Sequence, residues 1–148
     1  MSGAPRTPGV PWAVNPATLA RPVGYSHGMA AQGTHLFVAG QVGWDAAAKI
    51  VSGGFVAQFE QALANVMAVV AEAGGEPRHV TRLRIYVTDL EAYRRSLAEV
   101  GAAYRRRMGR HFPAMALLQV AGLLESGALV EIEADAMLPS SGSCGESE

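Results

Sequence analysis

The segment from Val130 to Ala136 alternates strictly between apolar and acidic residues. Because successive side chains of a β-strand point to opposite faces, this period of two predicts a strand with one buried face and one polar face. The chain must therefore contain a sheet that is covered on at least one side. The apolar face consists of Val130, Ile132, Ala134 and Ala136, and the acidic face consists of Glu131, Glu133 and Asp135.

Two helical patterns can provide that cover. Apolar residues recur at helical spacing from Phe55 to Ala73, and the pair Gly74-Gly75 that follows is typical of a helix C-terminus. A second helix is predicted after Thr88-Asp89, where Glu91 stands three residues beyond Thr88 as in a capping box. The buried stripe of the second helix is expected to contain Leu90, Tyr93, Leu97, Val100, Tyr104 and Met108.

The remaining segments are predicted to be strands and turns. Residues 25–32 and 35–40 flank Gly33-Thr34 and suggest an antiparallel hairpin, and residues 45–54 are predicted to form a loop. The alternating segment 80–87 predicts a strand, with Leu83, Ile85 and Val87 on one face. Two β-prone runs between residues 114 and 138 surround the turn 124–127 and suggest a second hairpin. The predicted order is ββαβαββ, an α/β plait in which two helices pack on one face of a mixed sheet.

The strand predicted in the sequence MALLQV is apolar on both faces. Met115 and Leu117 point one way, whereas Ala116, Leu118 and Val120 point the other way. Two helices cover only one side of a sheet, and a bare apolar face is prone to aggregation. We therefore expect another subunit to cover the second face.

Length and composition indicate one domain, which we place at residues 20–138. The Pro/Gly-rich residues 1–19 are expected to form a flexible arm and residues 139–148 a disordered tail. The N-terminus does not resemble a signal peptide, and no run is expected to be long enough to span a bilayer. The single cysteine, Cys144, cannot form an internal disulfide. We expect a cytoplasmic protein.

Several function classes are disfavoured. The net charge of −1 gives no overall attraction to nucleic acid or anionic membranes. The histidines show no metal-ligand spacing, and no phosphate-binding glycine loop or GxSxG elbow occurs, so we expect neither a metal nor a cofactor. The arginines of the second helix could contact RNA phosphates, although such a run more often forms a solvated helix face. The histidines are His27, His35, His79 and His111, and the arginines are Arg94, Arg95, Arg105, Arg106, Arg107 and Arg110.

Six spaced motifs together resemble one family across roughly residues 20–138. They are GYSHG at 24–28, LFVAGQV at 36–42, a long helix with Gln61, Asn65 and AEAGG, LRIYVTDLEAY at 83–93, FPAM at 112–115 and ALVEIEADA at 128–136. The chain resembles the RidA (reactive intermediate/imine deaminase) superfamily, also called YjgF or endoribonuclease L-PSP. The resemblance implies a homotrimeric barrel like that of bacterial chorismate mutase, with helices outside and ligand clefts between subunits.

The resemblance also implies hydrolysis of an imine or enamine to a ketone and ammonia without metal or cofactor. The family's acid–base glutamate matches Glu131, which would act as a catalytic residue if its sheet face lines a subunit cleft. Otherwise Glu131, like Glu133 and Asp135, belongs to a solvated face. The cleft-lining positions of the family match Tyr25, Ala39, Gly40, Phe112, Met115 and Leu117.

One decisive position departs from the family. Met115 occupies the place of the arginine that clamps a substrate carboxylate, and methionine offers no hydrogen-bond donor. Ala39 replaces a small hydroxyl residue, while Ala116 and Leu117 make the expected cleft more apolar. We therefore expect an imine or enamine other than 2-aminoacrylate as substrate. The alternatives are a non-catalytic trimer that binds a small ligand or a partner protein, and an endoribonuclease.

Overall fold

The computed structural model describes residues 6–140, and Cys144 lies outside them. The chain forms six strands and three α-helices within this range, with a 3-10 turn at Pro77–His79. In chain order the elements are β1 (Trp12–Val14), β2 (Gly28–Ala30), β3 (Thr34–Val42), α1 (Gly54–Glu72), β4 (Val80–Val87), α2 (Leu90–Arg95), α3 (Leu97–Met108), β5 (Ala114–Gln119) and β6 (Val130–Leu138).

The main sheet has four strands in the order β3-β6-β4-β5. The strand β6 is antiparallel to both of its neighbours, whereas β4 and β5 are parallel. The register pairs Ile85 with Ile132 and Leu83 with Ala134, so the apolar faces of β4 and β6 coincide. The helices α1 and α3 pack on that face and complete the core, which confirms the predicted mixed α/β fold.

Both predicted hairpins are wrong. The strand β2 pairs with β1 in a separate two-stranded sheet, while β3 pairs with β6. β5 lies beside β4, on the side away from β6. Gly33 and Gly127 do mark chain reversals, but a turn residue does not determine which strands pair when the pairing is long-range. Gly33 allows the backbone of Leu138 to approach, because a Cβ at this position would collide with the Leu138 carbonyl oxygen. Trp12–Val14, part of the predicted flexible arm, forms β1.

The helix α1 follows the predicted pattern closely. Its buried face includes Phe59, Leu63 and Val66, which pack against the sheet. By length and composition alone this 19-residue helix, with a mean hydropathy of 1.3, could cross a membrane, so the expectation that no run is long enough was wrong on those criteria. Because its apolar side packs in the core, the helix is accounted for within the fold.

The predicted second helix is divided at Ser96 into α2 and α3. Its N-cap is Asp89, whose carboxylate accepts hydrogen bonds from the N–H groups of Glu91 and Ala92. The predicted capping box on Thr88 is therefore wrong, and the Thr88 hydroxyl faces the carbonyl oxygen of Leu129 instead. The break also leaves Leu97, expected in the buried stripe, 56% exposed.

The face of the sheet opposite the helices, called the open face below, carries no helix among residues 6–140, and β2 lies beside β4 at one end of it. Met115 and Leu117 pack against the core, as partners of Leu83 and Ile85 in the parallel register. Alternation then places Ala116 and Leu118 on the open face, where Leu118 is 48% exposed and Phe37 is 74% exposed. The predicted two-sided apolar character of β5 is confirmed.

Candidate functional site

A bulge in the edge strand β3 forms the centre of the candidate site. The pairing of β3 with β6 shifts register between Val38 and Gln41, which places Ala39 and Gly40 within the irregularity. A bulge leaves backbone groups outside the ladder and changes the direction of side chains. The Gln41 side-chain amide donates a hydrogen bond to the carbonyl oxygen of Ala39 at 3.1 Å and so stabilises the backbone of the bulge.

The carboxylate of Glu131 lies against Gly40. A Cβ built on Gly40 would lie 2.6 Å from Oε1 of Glu131 and 2.8 Å from its Cδ. Any side chain at position 40 would thus occupy the place of the carboxylate. Glycine at this position allows Glu131 to lie directly over the bulge.

The other two acids of the open face are already paired. The hydroxyl of Tyr86 donates to Glu133 Oε1 at 2.6 Å, and this hydrogen bond, with a smaller effect of burial, raises the pKa of Tyr86. Arg84 Nη1 lies 3.6 Å from Glu133 and 3.3 Å from Asp135. His35 Nε2 lies 3.1 Å from the other carboxylate oxygen of Asp135.

Glu131 differs from these acids in its partners. Between residues 6 and 140 no side chain forms a hydrogen bond or an ion pair with its carboxylate, which is half-buried. A carboxylate without a fixed partner, next to irregular backbone, can accept a proton or orient a water molecule. Arg84, which carries the cation nearest to the acids, is engaged by Glu133 and Asp135.

The structure separates the site residues predicted from the sequence into three places. Glu131, Gly40 and Ala39 meet at the bulge on the open face. Met115 and Leu117 lie on the opposite face, against the core. A single chain therefore does not form the predicted pocket in which Glu131 meets Met115. The parallel register that pairs Met115 with Leu83 is the reason.

Tyr25 and Phe112 lie in the third place, beside the start of β5, and Phe112 also lines an apolar cavity together with Met115. Both line a cavity of about 590 Å³ between the β1–β2 sheet and the loop before β5. Ser26 fixes the two segments together, because its hydroxyl donates to the carbonyl oxygen of Phe112 at 2.6 Å and its N–H donates to that of Pro113 at 3.0 Å.

The role of Tyr86 was not predicted from the sequence. Alternation did place Tyr86 on the face opposite Leu83, but its hydrogen bond to Glu133 depends on the register between β4 and β6. In the described part of the chain, no three His, Cys, Asp or Glu side chains come close enough to hold a metal ion.

Comparison with known proteins decides the family. The family model described as endoribonuclease L-PSP matches residues 16–138. The chain belongs to this family, the RidA/YjgF superfamily. The protein DfrA of Myxococcus xanthus is 38% identical over 106 residues, which cover 71% of this chain and 77% of DfrA. A 2-iminobutanoate/2-iminopropanoate deaminase of Capra hircus is 33% identical over 103 residues, which cover 69% of this chain and 72% of the deaminase.

A solved structure supports the same assignment. YyfB of Yersinia pestis, a Rid-family protein of unknown function, superposes with a TM-score of 0.77 at 34% identity. The superposition covers 86% of this chain and 98% of YyfB. The fold expected from the family resemblance, a chorismate-mutase-like mixed α/β domain, is thus confirmed for this RidA-family chain.

Proposed function

We propose that this RidA-family protein hydrolyses a small imine or enamine, with Glu131 as the group that moves protons. The observation that carries the proposal is the unpaired carboxylate of Glu131 over the β3 bulge at Gly40. The relative from Capra hircus, named a 2-iminobutanoate/2-iminopropanoate deaminase, supports the reaction class.

The proposed reaction needs only water and a proton carrier. A water molecule adds to the imine carbon and gives a carbinolamine, while one proton passes from the water to nitrogen. Glu131 takes this first proton from the water and passes it to the imine nitrogen. It then takes the hydroxyl proton of the carbinolamine and passes it to the amino nitrogen, which becomes ammonia as the leaving group. The C–N bond then breaks, ammonia leaves, and the hydroxyl of the carbinolamine becomes the carbonyl of the product. An enamine first takes a proton on carbon to reach the same imine.

We propose that the complete cleft forms between subunits. The edge strands of the sheet are β3, beside Glu131, and β5, which carries Met115. Exposed edges invite pairing with another chain. If β3 of one copy meets β5 of the next, Glu131 approaches the β5 wall of its neighbour, and a ring of three such copies also covers Phe37 and Leu118. Homotrimer assembly and the cleft between subunits are parts of this proposal.

The proposed substrate lacks the amino-acid carboxylate. Met115 provides no cation where the family resemblance places one, and Arg84 is engaged by two acids. A carboxylate buried without a charge-assisted hydrogen bond loses about 1.5–3 kcal/mol. A neutral or aromatic imine avoids this cost.

Ammonia release from a panel of freshly generated imines tests the proposal. We expect release from neutral or aromatic imines above the uncatalysed rate, with little from 2-iminopropanoate. Glu131→Gln should lower the rate by about 10²–10⁴-fold, whereas Glu125→Gln, in the exposed turn before β6, should keep it. Release that is unchanged in Glu131→Gln contradicts the role of this carboxylate.

A non-catalytic ligand-binding trimer is the second candidate. A half-enclosed apolar cavity of about 310 Å³ on the helix side of the sheet favours it, because no histidine or carboxylate lines this cavity. Its walls include Ile85, Tyr93, Gly101 and Met115. Native mass spectrometry of the purified protein that finds an unaltered small molecule, with no ammonia release from any imine, favours binding over catalysis. Endoribonuclease activity has less support, because Arg106 and Arg107 pair with Glu60 and Arg94 pairs with Glu91.

A further inference from the structure

The acids of β6 face three polar side chains of β4 across the open face of the sheet. The register places Tyr86 opposite Glu131, Arg84 opposite Glu133 and Arg82 opposite Asp135. Side chains directly opposite each other in an antiparallel pair have Cβ atoms about 4.5–5.5 Å apart, and diagonal neighbours at about 7–8 Å are still within reach of long side chains. Each of these side chains of β4 can therefore reach the acid opposite to it or an acid on the diagonal.

Both donors within reach of Glu131 bind other acids. Tyr86, which stands directly opposite Glu131, donates its hydroxyl hydrogen bond to the diagonal neighbour Glu133 at 2.6 Å. Arg84 has Glu131 on one diagonal and Asp135 on the other. Its Nη1 lies 3.3 Å from Asp135 and 3.6 Å from Glu133. Both side chains thus point away from Glu131, toward the C-terminal end of β6.

Asp135 is fixed by contacts on several sides. His35 Nε2 lies 3.1 Å from Oδ1 of Asp135, whereas Arg84 lies against Oδ2, so the two groups bind different oxygens. The ring of His35 packs on that of Phe37, with centroids 3.8 Å apart. The Thr81 hydroxyl donates to the backbone carbonyl oxygen of Asp135 at 3.1 Å. The Asp135 side chain is only 16% exposed, so its carboxylate forms a fixed anchor for the guanidinium.

A free carboxylate at Glu131 matters for proton transfer. An arginine close to a carboxylate favours the charged form of that carboxylate and weakens it as a proton acceptor. The guanidinium would also occupy the oxygens that must contact the reacting water. The proposed hydrolysis therefore requires that Arg84 stays away from Glu131.

We propose that Asp135 is a positioning residue for the hydrolysis: its carboxylate holds Arg84 in a bridge to Glu133 and so keeps Glu131 free. This inference rests on the proposed function. Without the charge of Asp135, the acids within reach of Arg84 are Glu133 and Glu131. The guanidinium should then move to a bridge between these two carboxylates. Asp135 acts through Arg84 and not on the substrate.

Ammonia release from the imine that the wild type hydrolyses best tests the inference. Asp135→Asn should lower the rate by about tenfold or more, because Arg84 then pairs with Glu131. Combining Asp135→Asn with Arg84→Gln should restore the rate to within about threefold of the wild type, since the cation is removed. The matched control combines Asp135→Asn with Arg82→Gln. Arg82 lies on the same face and forms no ion pair within residues 6–140, so this variant should stay as slow as Asp135→Asn.

The two double variants separate positioning from stability. Damage to the fold would not be repaired by removing Arg84 and left in place by removing Arg82. A wild-type rate in Asp135→Asn overturns the inference, and so does an Arg84→Gln double variant that is as slow as Asp135→Asn alone. Thermal unfolding checks each fold, and Asp135→Ser, which removes the same charge with a smaller side chain, replaces Asp135→Asn if that variant does not fold.

A crystal structure of the Asp135→Asn protein distinguishes failure of this inference from failure of the proposed function. We expect a guanidinium nitrogen of Arg84 within about 4 Å of the Glu131 carboxylate. An Arg84 that stays beside position 135 overturns the inference even if the wild type is an active hydrolase. If the wild type releases no ammonia from any imine, the proposed function fails, and the position of Arg84 in the variant still decides whether Asp135 holds it.

Discussion

Gly40→Ala tests the contact between the β3 bulge and Glu131. The added Cβ would lie 2.6 Å from Oε1, 2.8 Å from Cδ and 3.1 Å from Cγ of Glu131, so its nearest neighbours are all atoms of one side chain. A side chain that ends in a flexible carboxylate can rotate away at a cost of about 0.5–1.5 kcal/mol. Alanine also reduces the entropy of the unfolded chain, which stabilises by about 0.4–1 kcal/mol. The free energy of unfolding should therefore change by less than about 1 kcal/mol.

The effect of Gly40→Ala on hydrolysis should be much larger. Rotation removes the carboxylate from the bulge, and loss of a positioned acid–base group lowers rates by about 10²–10⁴-fold. Urea unfolding followed by circular dichroism measures the free energy of unfolding, and ammonia release from the best imine substrate measures the rate of hydrolysis. A variant that is stable and inactive is the expected result.

Two other glycines are controls for Gly40→Ala. At Gly43 a Cβ would lie 2.6 Å from Cα and 2.7 Å from the carbonyl oxygen of Gln58, which are backbone atoms of α1. Because the helix itself must move, Gly43→Ala should destabilise by about 1–3 kcal/mol. At Gly28 the nearest atom is 3.5 Å away, so Gly28→Ala should be close to neutral. Full activity in Gly40→Ala, or a stability loss as large as that of Gly43→Ala, refutes the reasoning.

Three further predictions concern stability and can be measured by urea unfolding. His79 is buried, its Nδ1 accepts a hydrogen bond from the N–H of Glu76 at 2.8 Å, and its Nε2 has no partner in the described chain. Burial lowers the pKa of His79, so the unfolded state binds the proton more readily and stability should fall as the pH drops below about 6.5. His79→Asn, which keeps an acceptor, should weaken this pH dependence. Tyr104→Phe removes the hydrogen bond to the His111 carbonyl oxygen and should cost about 1–2 kcal/mol. The phenol is protonated at neutral pH, and burial raises its pKa further, so this loss should not change between pH 6 and 8. An unchanged free energy of unfolding contradicts the hydrogen bond. Asn65→Ala removes three hydrogen bonds: two that the side-chain amide donates to the carbonyl oxygens of Val42 and Trp44, and one that its Oδ1 accepts from Gln61. It should cost about 1–3 kcal/mol, whereas Glu72→Gln on the exposed end of α1 should change stability little.

Local patterns predicted the single elements of this fold well. The spacing of Phe59, Leu63 and Val66 indicated α1, and the alternation of Leu83, Ile85 and Val87 indicated β4 with its observed bounds. Each of these signals depends on residues within one element. The pairing of strands depends on residues from several elements, because β6 completes a sheet with β3 and β4, which are distant from it in the chain. The hairpin predictions failed for that reason.

The candidate site was predicted only in part, because its geometry also depends on how the strands pair. The family resemblance identified Glu131 and Gly40, and the structure places them in contact. Alternation predicted that Met115 and Leu117 share a face, but only the register with Leu83 and Ile85 shows that this face is the core side. The apolar cavity lined by Tyr93, Gly101 and Met115 could not be predicted, since it depends on how α2 and α3 pack against β5.

The position of β6 has a consequence for synthesis on the ribosome. Of the elements within residues 6–140, β6 is made last, yet it lies between β3 and β4 in the sheet. Until residues 130–138 leave the exit tunnel, β3 and β4 have no strand to join them into one sheet. The nascent chain should therefore acquire its fold only once β6 has emerged, and a premature stop codon before Val130 should leave a product for proteolysis rather than a shortened but folded domain.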